Sequence, residues 1–275
     1  MKSLYIEKYD AFVRYFDIPA SDPKKTRPRI YISGLSTPAT AGLLSLATHP
    51  LVRGERTLLI DYFGSGFSDN PSDFDHTMPS LAELVVAVIE HEKLSSVDII
   101  GHSMGGTIAF YVAMQKPALV RRIICAEGNL FAGGGPGTRR IASFNYNDWM
   151  TIEHQAHMDK LTKRAREGHA DAAFVEGAWR SSDARGIYLQ SQSLVNLPDD
   201  FPEQLVALNK NVPITFVYGE HNLPENNDGA IFPDSPETTW LTERGIAYDV
   251  VPNSGHMMMV DNLDGFAQVV AKALR

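Results

Sequence analysis

Gly101-His102-Ser103-Met104-Gly105-Gly106 is the stretch on which the fold turns. Just before it, Val97 to Ile100 is a short, largely apolar run of strand type, and just after it Thr107 to Gln115 is a helical pattern closed by Pro117. Glycine, any residue, serine, any residue, glycine between a strand and a helix is the pattern of a sharp turn that exposes a serine hydroxyl. Gly101 and Gly105 lack a Cβ, so the chain can reverse tightly enough to hold Ser103 in a strained conformation. The hydroxyl then sits at a helix N-terminus, where developing negative charge is favoured. Those are the needs of a nucleophile.

On both sides of this turn, short β-rich runs alternate with helical patterns, which predicts an α/β fold: a mostly parallel central sheet with helices on both faces. Buried strands are expected at Arg29 to Ser33, Thr57 to Asp61, Val97 to Gly101, Arg122 to Ala126, Ile214 to Gly219 and Ala247 to Pro252. Tyr5 to Tyr9 and Phe12 to Asp17 read as an antiparallel hairpin at one edge. Ser80-Leu81-Ala82-Glu83 reads as a capping box, and Leu81, Leu84, Val85, Val88 and Ile89 then share one helical face. Thr37-Pro38 reads as an N-cap followed by a first-turn proline, and Leu263, Phe266, Val270 and Leu274 give a last helix its buried stripe.

The alternation breaks from about Phe131 to Pro198. Ala132-Gly133-Gly134-Gly135-Pro136-Gly137 leads into a helical, strand-poor region in which Met150, His154, Met158 and Leu161 share a face and Phe174 to Trp179 suggest a further helix. The domain reading is therefore a core of residues 1–130 and 199–275 with a helical cap at 131–198, mobile at its glycine-rich lead-in.

Composition narrows the function classes. With 44% hydrophobic and 21% charged residues among 275, the chain can bury a sizeable core. A formal net charge of −8 argues against a nucleic-acid partner, which would call for a basic stripe. No run approaches the roughly 20 apolar residues of a membrane span, and the first ten residues lack the apolar run of a signal peptide. One cysteine, Cys125, builds no intrachain disulfide. These features give the expectation of a soluble cytoplasmic protein acting on a small molecule, with no nucleic acid and no stable membrane insertion; oligomeric state is not legible.

The elbow at Ser103 resembles that of the α/β-hydrolase family, serine-nucleophile branch, esterase- and lipase-like, and the resemblance covers nearly the whole chain outside the cap. Ser254-Gly255-His256, after a strand and before the last helix, stands where that family places its catalytic histidine, in the order serine, acid, histidine. A neutral imidazole there takes the serine proton and returns it to the leaving group. The resemblance also implies an oxyanion hole from the backbone N–H groups of Met104 and of Leu35, in Ser33-Gly34-Leu35, where the family often has His-Gly first and this chain has Ser33. Asp61-Tyr62-Phe63-Gly64-Ser65-Gly66-Phe67-Ser68 resembles the loop after the family's fourth strand; it lacks the third glycine of a dinucleotide loop and is expected to shape the site from beside it.

The acid departs from the common pattern. After the seventh strand, Gly219-Glu220-His221-Asn222 ends in an amide where the family usually has aspartate, and an amide cannot stabilise an imidazolium by charge. Glu127, closing the sixth strand, matches a minority arrangement and is the expected acid, with Glu220 as alternative and Asp228 third. His154 and His157 lack a third ligand at metalloprotease spacing, Met257-Met258-Met259 is expected in core packing at the start of the last helix, with one side chain toward the pocket as the alternative, and Cys125 reads as a small buried residue. The expected chemistry is an acyl-enzyme mechanism on an ester of a small to medium apolar acid, requiring neither metal nor organic cofactor. Amidase, thioesterase, carbon–carbon hydrolase and acyltransferase stay open, as does a non-catalytic receptor or interaction module on this fold; a serine at the elbow disfavours dehalogenase and epoxide-hydrolase chemistry.

Overall fold

The computed structural model describes residues 1–22, 24–224 and 234–275. Its described residues form an eight-stranded sheet in the order β1-β2-β4-β3-β5-β6-β7-β8. The strands are β1 (Lys2–Ile6), β2 (Ala11–Ile18), β3 (Arg29–Ile32), β4 (Thr57–Asp61), β5 (Val97–His102), β6 (Val120–Ala126), β7 (Ile214–Gly219) and β8 (Ala247–Val251). β1 and β2 form the expected edge hairpin, with Leu4 opposite Val13, and β2 joins β4 antiparallel. From β3 to β8 every pairing is parallel.

The side-chain period of two splits the apolar strands between two cores. Ile30, Ile32, Ile99, Ile123, Cys125 and Phe216 face one side, while Tyr31, Ile100, Ile124, Ala126 and Val217 face the other. The first side is covered by α2 (Met78–His91), α3 (Met104–Gln115) and α9 (Phe201–Asn209), the second by α1 (Ala39–Ala47) and α12 (Leu263–Ala273). Each fully buried isoleucine or phenylalanine in these layers stabilises the fold by roughly 1.5–3 kcal/mol. β8 departs from expectation: Ala247 and Tyr248 are exposed, because the strand closes the sheet and has a neighbour on one side only.

Two helix starts differ from the sequence reading for identifiable reasons. The N-cap of α2 is Thr77, whose hydroxyl accepts from Ser80 N–H at 3.4 Å, with Pro79 in the first turn; the helix begins before the apparent capping box. α1 begins at Ala39, and its first N–H is taken at 2.8 Å by the carboxylate of Asp61 instead of by Thr37. Charge from a neighbouring strand end satisfies that orphan donor better than a local hydroxyl.

Between β6 and β7 the chain forms α4 (Pro136–Ala142), the single turn α5 (Tyr146–Asp148), α6 (His154–Arg166), α7 (Ala170–Trp179) and α8 (Ala184–Val195) before α9. Ile141, Trp149, Met158, Ala178, Trp179 and Ile187 build a third, separate apolar cluster here. A π-helical turn at Trp149–Glu153 inserts an extra residue into the 3.6 period, which buries Trp149 and turns Met150 outward to 39% exposure. Met150 therefore does not share the face of Met158. α10 (Thr238–Glu243) and α11 (Met258–Asp261) complete the α-helices among the described residues.

Candidate functional site

Ser103 sits between β5 and α3 at φ 54° and ψ −129°, a left-handed conformation that costs a residue with a Cβ about 1–3 kcal/mol. The surroundings over-determine it. A Cβ at Gly101 would collide with the Gly105 carbonyl, and one at Gly105 with the carbonyl of Ile32. Ser103 N–H donates to Ala126 O at 2.7 Å, and Ser103 O accepts from Gly106 N–H at 2.8 Å. Gly34, following β3, lies so close that a Cβ there would stand 3.2 Å from Ser103 Cβ. This accounts for a glycine directly after Ser33.

Glu127 and His256 meet beside this turn. Oε2 of Glu127 lies 2.9 Å from Nδ1 of His256. The same oxygen accepts from Asn222 Nδ2 at 2.9 Å, and Oε1 accepts from Gly219 N–H at 2.7 Å. Glu127 is 4% exposed and itself left-handed at φ 53°, so the chain turns its carboxylate back along the strand ends. Burial works against a charge on His256, but the hydrogen bond and charge of Glu127, with the charge of Asp234, outweigh it and raise the imidazole above its ordinary range. The His256 side chain keeps 32% of its surface exposed and lines the same cavity as Ser103.

The other acids of the sequence reading fall elsewhere. Glu220 is exposed and its Oε2 accepts from Asn253 N–H at 2.8 Å. Asp228 lies outside the described residues. Asn222, read as a missing aspartate, is a donor to the carboxylate that replaces it.

Two further polar residues at this site, His102 and Asp234, have no local signature in the sequence. His102 is buried and its Nε2 lies 2.8 Å from the carbonyl of His256; since a carbonyl only accepts, Nε2 carries the proton. Burial first, then the charge of His256, pushes the His102 imidazole down to about 3, so it stays neutral while pinning the backbone of its neighbour. Asp234 is fully buried, takes a hydrogen bond from Asn129 Nδ2, and its carbonyl accepts from Leu130 and Phe131 N–H at 2.7 and 3.0 Å. Desolvation pushes its carboxyl up. It brings a second carboxylate toward His256 from a loop far along the chain.

These groups open on a cavity of about 230 Å³ whose walls include Leu35, Ile141, Phe174, Val175, Trp179 and Met257. Its floor is formed where the chain leaves β3, β5 and β6, with His256 from the loop after β8, at the carboxyl edge where open α/β sheets bind ligands. Of the three methionines, Met257 and Met259 reach the cavity and Met258 is wholly in the core. The Leu35 N–H donates to none of the described residues. Met104 opens α3 directly after Ser103.

The loop at 61–68 acts from beside the site. Tyr62 donates its hydroxyl to the Gly34 carbonyl, and Asp61, pushed up to about 6 by burial against two backbone N–H bonds, ties Ala39 and Phe67 together. Among the described residues no group of three or more His, Cys, Asp or Glu could hold a metal ion. His154 and His157 pack instead against Trp149 and Trp179, the latter pair of rings stacked at 5.3 Å. Cys125 is a buried free thiol, pushed up by burial, against which Gly106 and Gly128 close. No helix among the described residues is long and apolar enough to cross a membrane.

A strained serine at a strand-to-helix elbow, an imidazole from the loop after β8 and a carboxylate on that imidazole meet at one edge of the sheet. Residues 42–263 match the model of the alpha/beta hydrolase fold, and the chain belongs to that family. It is similar to an uncharacterized hydrolase, YugF, of Bacillus subtilis (strain 168), at 34% identity over 63% of this chain and 66% of that one. It is 26% identical to the 2-succinyl-6-hydroxy-2,4-cyclohexadiene-1-carboxylate synthase of Enterobacter sp. (strain 638), over 79% of this chain and 81% of that one. Among solved structures, the enol-lactonase from Burkholderia xenovorans LB400 shares the fold with a TM-score of 0.76 at 15% identity, covering 99% of both chains.

Proposed function

We propose that the protein is a serine hydrolase of carboxylic esters, lactones included, with Ser103 as nucleophile, His256 as general base and Glu127 as the acid of the triad. The observation that carries this is the Glu127 carboxylate, buried and 2.9 Å from His256 Nδ1 at the edge of the cavity that Ser103 lines. With Nδ1–H donated to Glu127, Nε2 is the nitrogen that accepts the serine proton, and the carboxylate stabilises the imidazolium formed on attack. Ser103 Oγ adds to the acyl carbon, the carbonyl electrons move to oxygen, and the Leu35 and Met104 N–H groups receive that oxyanion. Collapse expels the alcohol, protonated by His256, and leaves an acyl-enzyme; water deprotonated by His256 then releases the acid and restores Ser103.

The apolar walls at Ile141, Phe174, Val175 and Trp179, in a space of about 230 Å³, suit an acyl group of small to medium size. Those walls belong to residues 131–198, which we read as a cap over the carboxyl edge. A cytoplasmic setting fits the one, fully buried cysteine. The test is a panel of p-nitrophenyl esters of increasing acyl length with fluorophosphonate labelling of intact protein. Turnover and labelling are both expected, and both are lost in Ser103→Ala at unchanged melting temperature; turnover persisting in that variant refutes the assignment.

A further inference from the structure

The segment from Ser33 to Thr37 carries the Leu35 N–H assigned above to the oxyanion, and the direction of that N–H depends on how the adjoining peptides are held. Each peptide is a rigid plane, so gripping its carbonyl fixes the N–H on its far side. The Gly34–Leu35 peptide is gripped from the core, where Tyr62 donates its hydroxyl to the Gly34 carbonyl and Thr37 N–H donates to the same oxygen at 3.0 Å. The next peptide is gripped at both ends from the cap. Trp179 Nε1 donates to the Leu35 carbonyl at 3.2 Å, and Gln190 Oε1 accepts from the Ser36 N–H at 3.1 Å and from the Ser36 hydroxyl at 2.7 Å. Ser182 donates its hydroxyl to the Ser36 carbonyl.

Ser36 needs this grip. Its φ of 42° is left-handed, a conformation that a residue with a Cβ leaves when nothing holds it. Gln190 is fully buried, and its amide nitrogen lies 3.4 Å from His76 Nδ1, so it is itself held. The cap stretch that delivers Ser182 is pinned to the core by Gly66 N–H to Ser181 O and Asp183 N–H to Gly64 O, both at 3.0 Å.

We propose that the cap positions the oxyanion hole through the turn from Gly34 to Thr37: Trp179 and Gln190 are positioning residues that hold the Leu35–Ser36 peptide, and Ser182 holds the Ser36–Thr37 peptide whose Thr37 N–H grips the Gly34 carbonyl opposite the Leu35 N–H, so that seating the cap and steadying that N–H are one event. The inference rests on the serine-hydrolase reading of the same site. Its rival is that these bonds merely dock the cap, in which case losing one affects ground-state binding and melting temperature but not the bound substrate's rate.

The test compares Trp179→Phe, which keeps a ring against His157 and removes the N–H, and Ser182→Ala, which lies outside the cavity lining, with the wild type. The substrate is p-nitrophenyl butyrate, with butylboronic acid as a tetrahedral analogue and butyrate as a ground-state ligand. Each variant is expected to lose about tenfold in kcat with KM within about twofold. Binding of the boronic acid should weaken by the same factor and butyrate binding should not change. An active wild type whose variants keep kcat, or raise KM alone, overturns this inference and leaves the hydrolase reading standing. If Trp179→Phe fails to fold, Ser182→Ala decides. A folded wild type that turns over no ester overturns the hydrolase reading and this inference with it.

Discussion

Replacing Glu127 by glutamine changes one atom's identity and leaves the volume alone, yet its cost is readable from the contacts. Oε1 takes the Gly219 N–H and Oε2 takes both Asn222 Nδ2 and His256 Nδ1. A glutamine has one acceptor end. If its oxygen stays with Gly219, its NH₂ faces the Asn222 amide and Nδ1, which forces His256 into the tautomer with the proton on Nε2, unable to receive one from Ser103. If the amide is reversed, two buried donors meet at Gly219. Either arrangement also removes the negative charge that steadies the imidazolium, worth about 4 kcal/mol for charges about 4 Å apart at an effective dielectric near 20. The expected fall in kcat is therefore about three powers of ten, measured by steady-state hydrolysis of p-nitrophenyl butyrate across pH 6 to 9. Thermodynamic linkage adds a second readout. Because His256 is raised in the folded state, its pairing with Glu127 contributes stability that is fully present below the unfolded value near 6.5 and is lost as pH rises through the folded value. Glu127→Gln should thus lower the melting temperature more at pH 6 than at pH 9. A variant that keeps a tenth or more of wild-type kcat refutes the reasoning.

Asn222→Ala removes a donor to Glu127 but no charge, so kcat should fall by about tenfold or less, far short of Glu127→Gln; equal losses would move the essential group to the seventh strand. The acid limb of kcat/KM should follow an apparent pKa above the ordinary 6.5 of histidine, since the protonated base cannot accept; a wild-type limb below 6.5 contradicts the pairing. His76 is fully buried and pushed down to about 4 by burial, then by Arg185, so the folded state resists a proton that the unfolded chain accepts near 6.5. Stability should fall by about 3 kcal/mol as pH drops from 6.5 to 4, and His76→Asn, which tolerates the left-handed φ of 54°, should flatten that part of the denaturation profile.

The sheet was legible because its strands are short, apolar and interrupted by glycine and proline, and because two-residue alternation within Ile30-Tyr31-Ile32 or Ile123-Ile124-Cys125-Ala126 serves two buried faces at once. What misled was anything decided by a neighbour. Asp61 caps α1 from across the sheet, and β8 has the composition of an interior strand but the position of an edge. Between β6 and β7, the π turn at Trp149–Glu153 breaks the period from which a shared face for Met150 and Met158 is read. At the proposed site, chain order leads to Ser103, His256 and Leu35, and the missing charge at residue 222 leads to Glu127, which the structure sets beside His256. The donor role of Asn222, the backbone grip of His102 and the approach of Asp234 had no pattern to announce them, since each depends on a loop arriving from elsewhere.

The contact between Glu127 and Asn222 also bears on how such sites change over time. The two side chains stand on neighbouring strand ends, 2.9 Å apart, one charged and one an amide. A lineage exchanging them in single steps has a workable intermediate in the double carboxylate, because two carboxylates at that spacing hold one proton between them and still present a single negative charge to the histidine. A charge for His256 can thus come from the end of β6 with none after β7, and a search that demands aspartate after the seventh strand would pass over a chain built like this one.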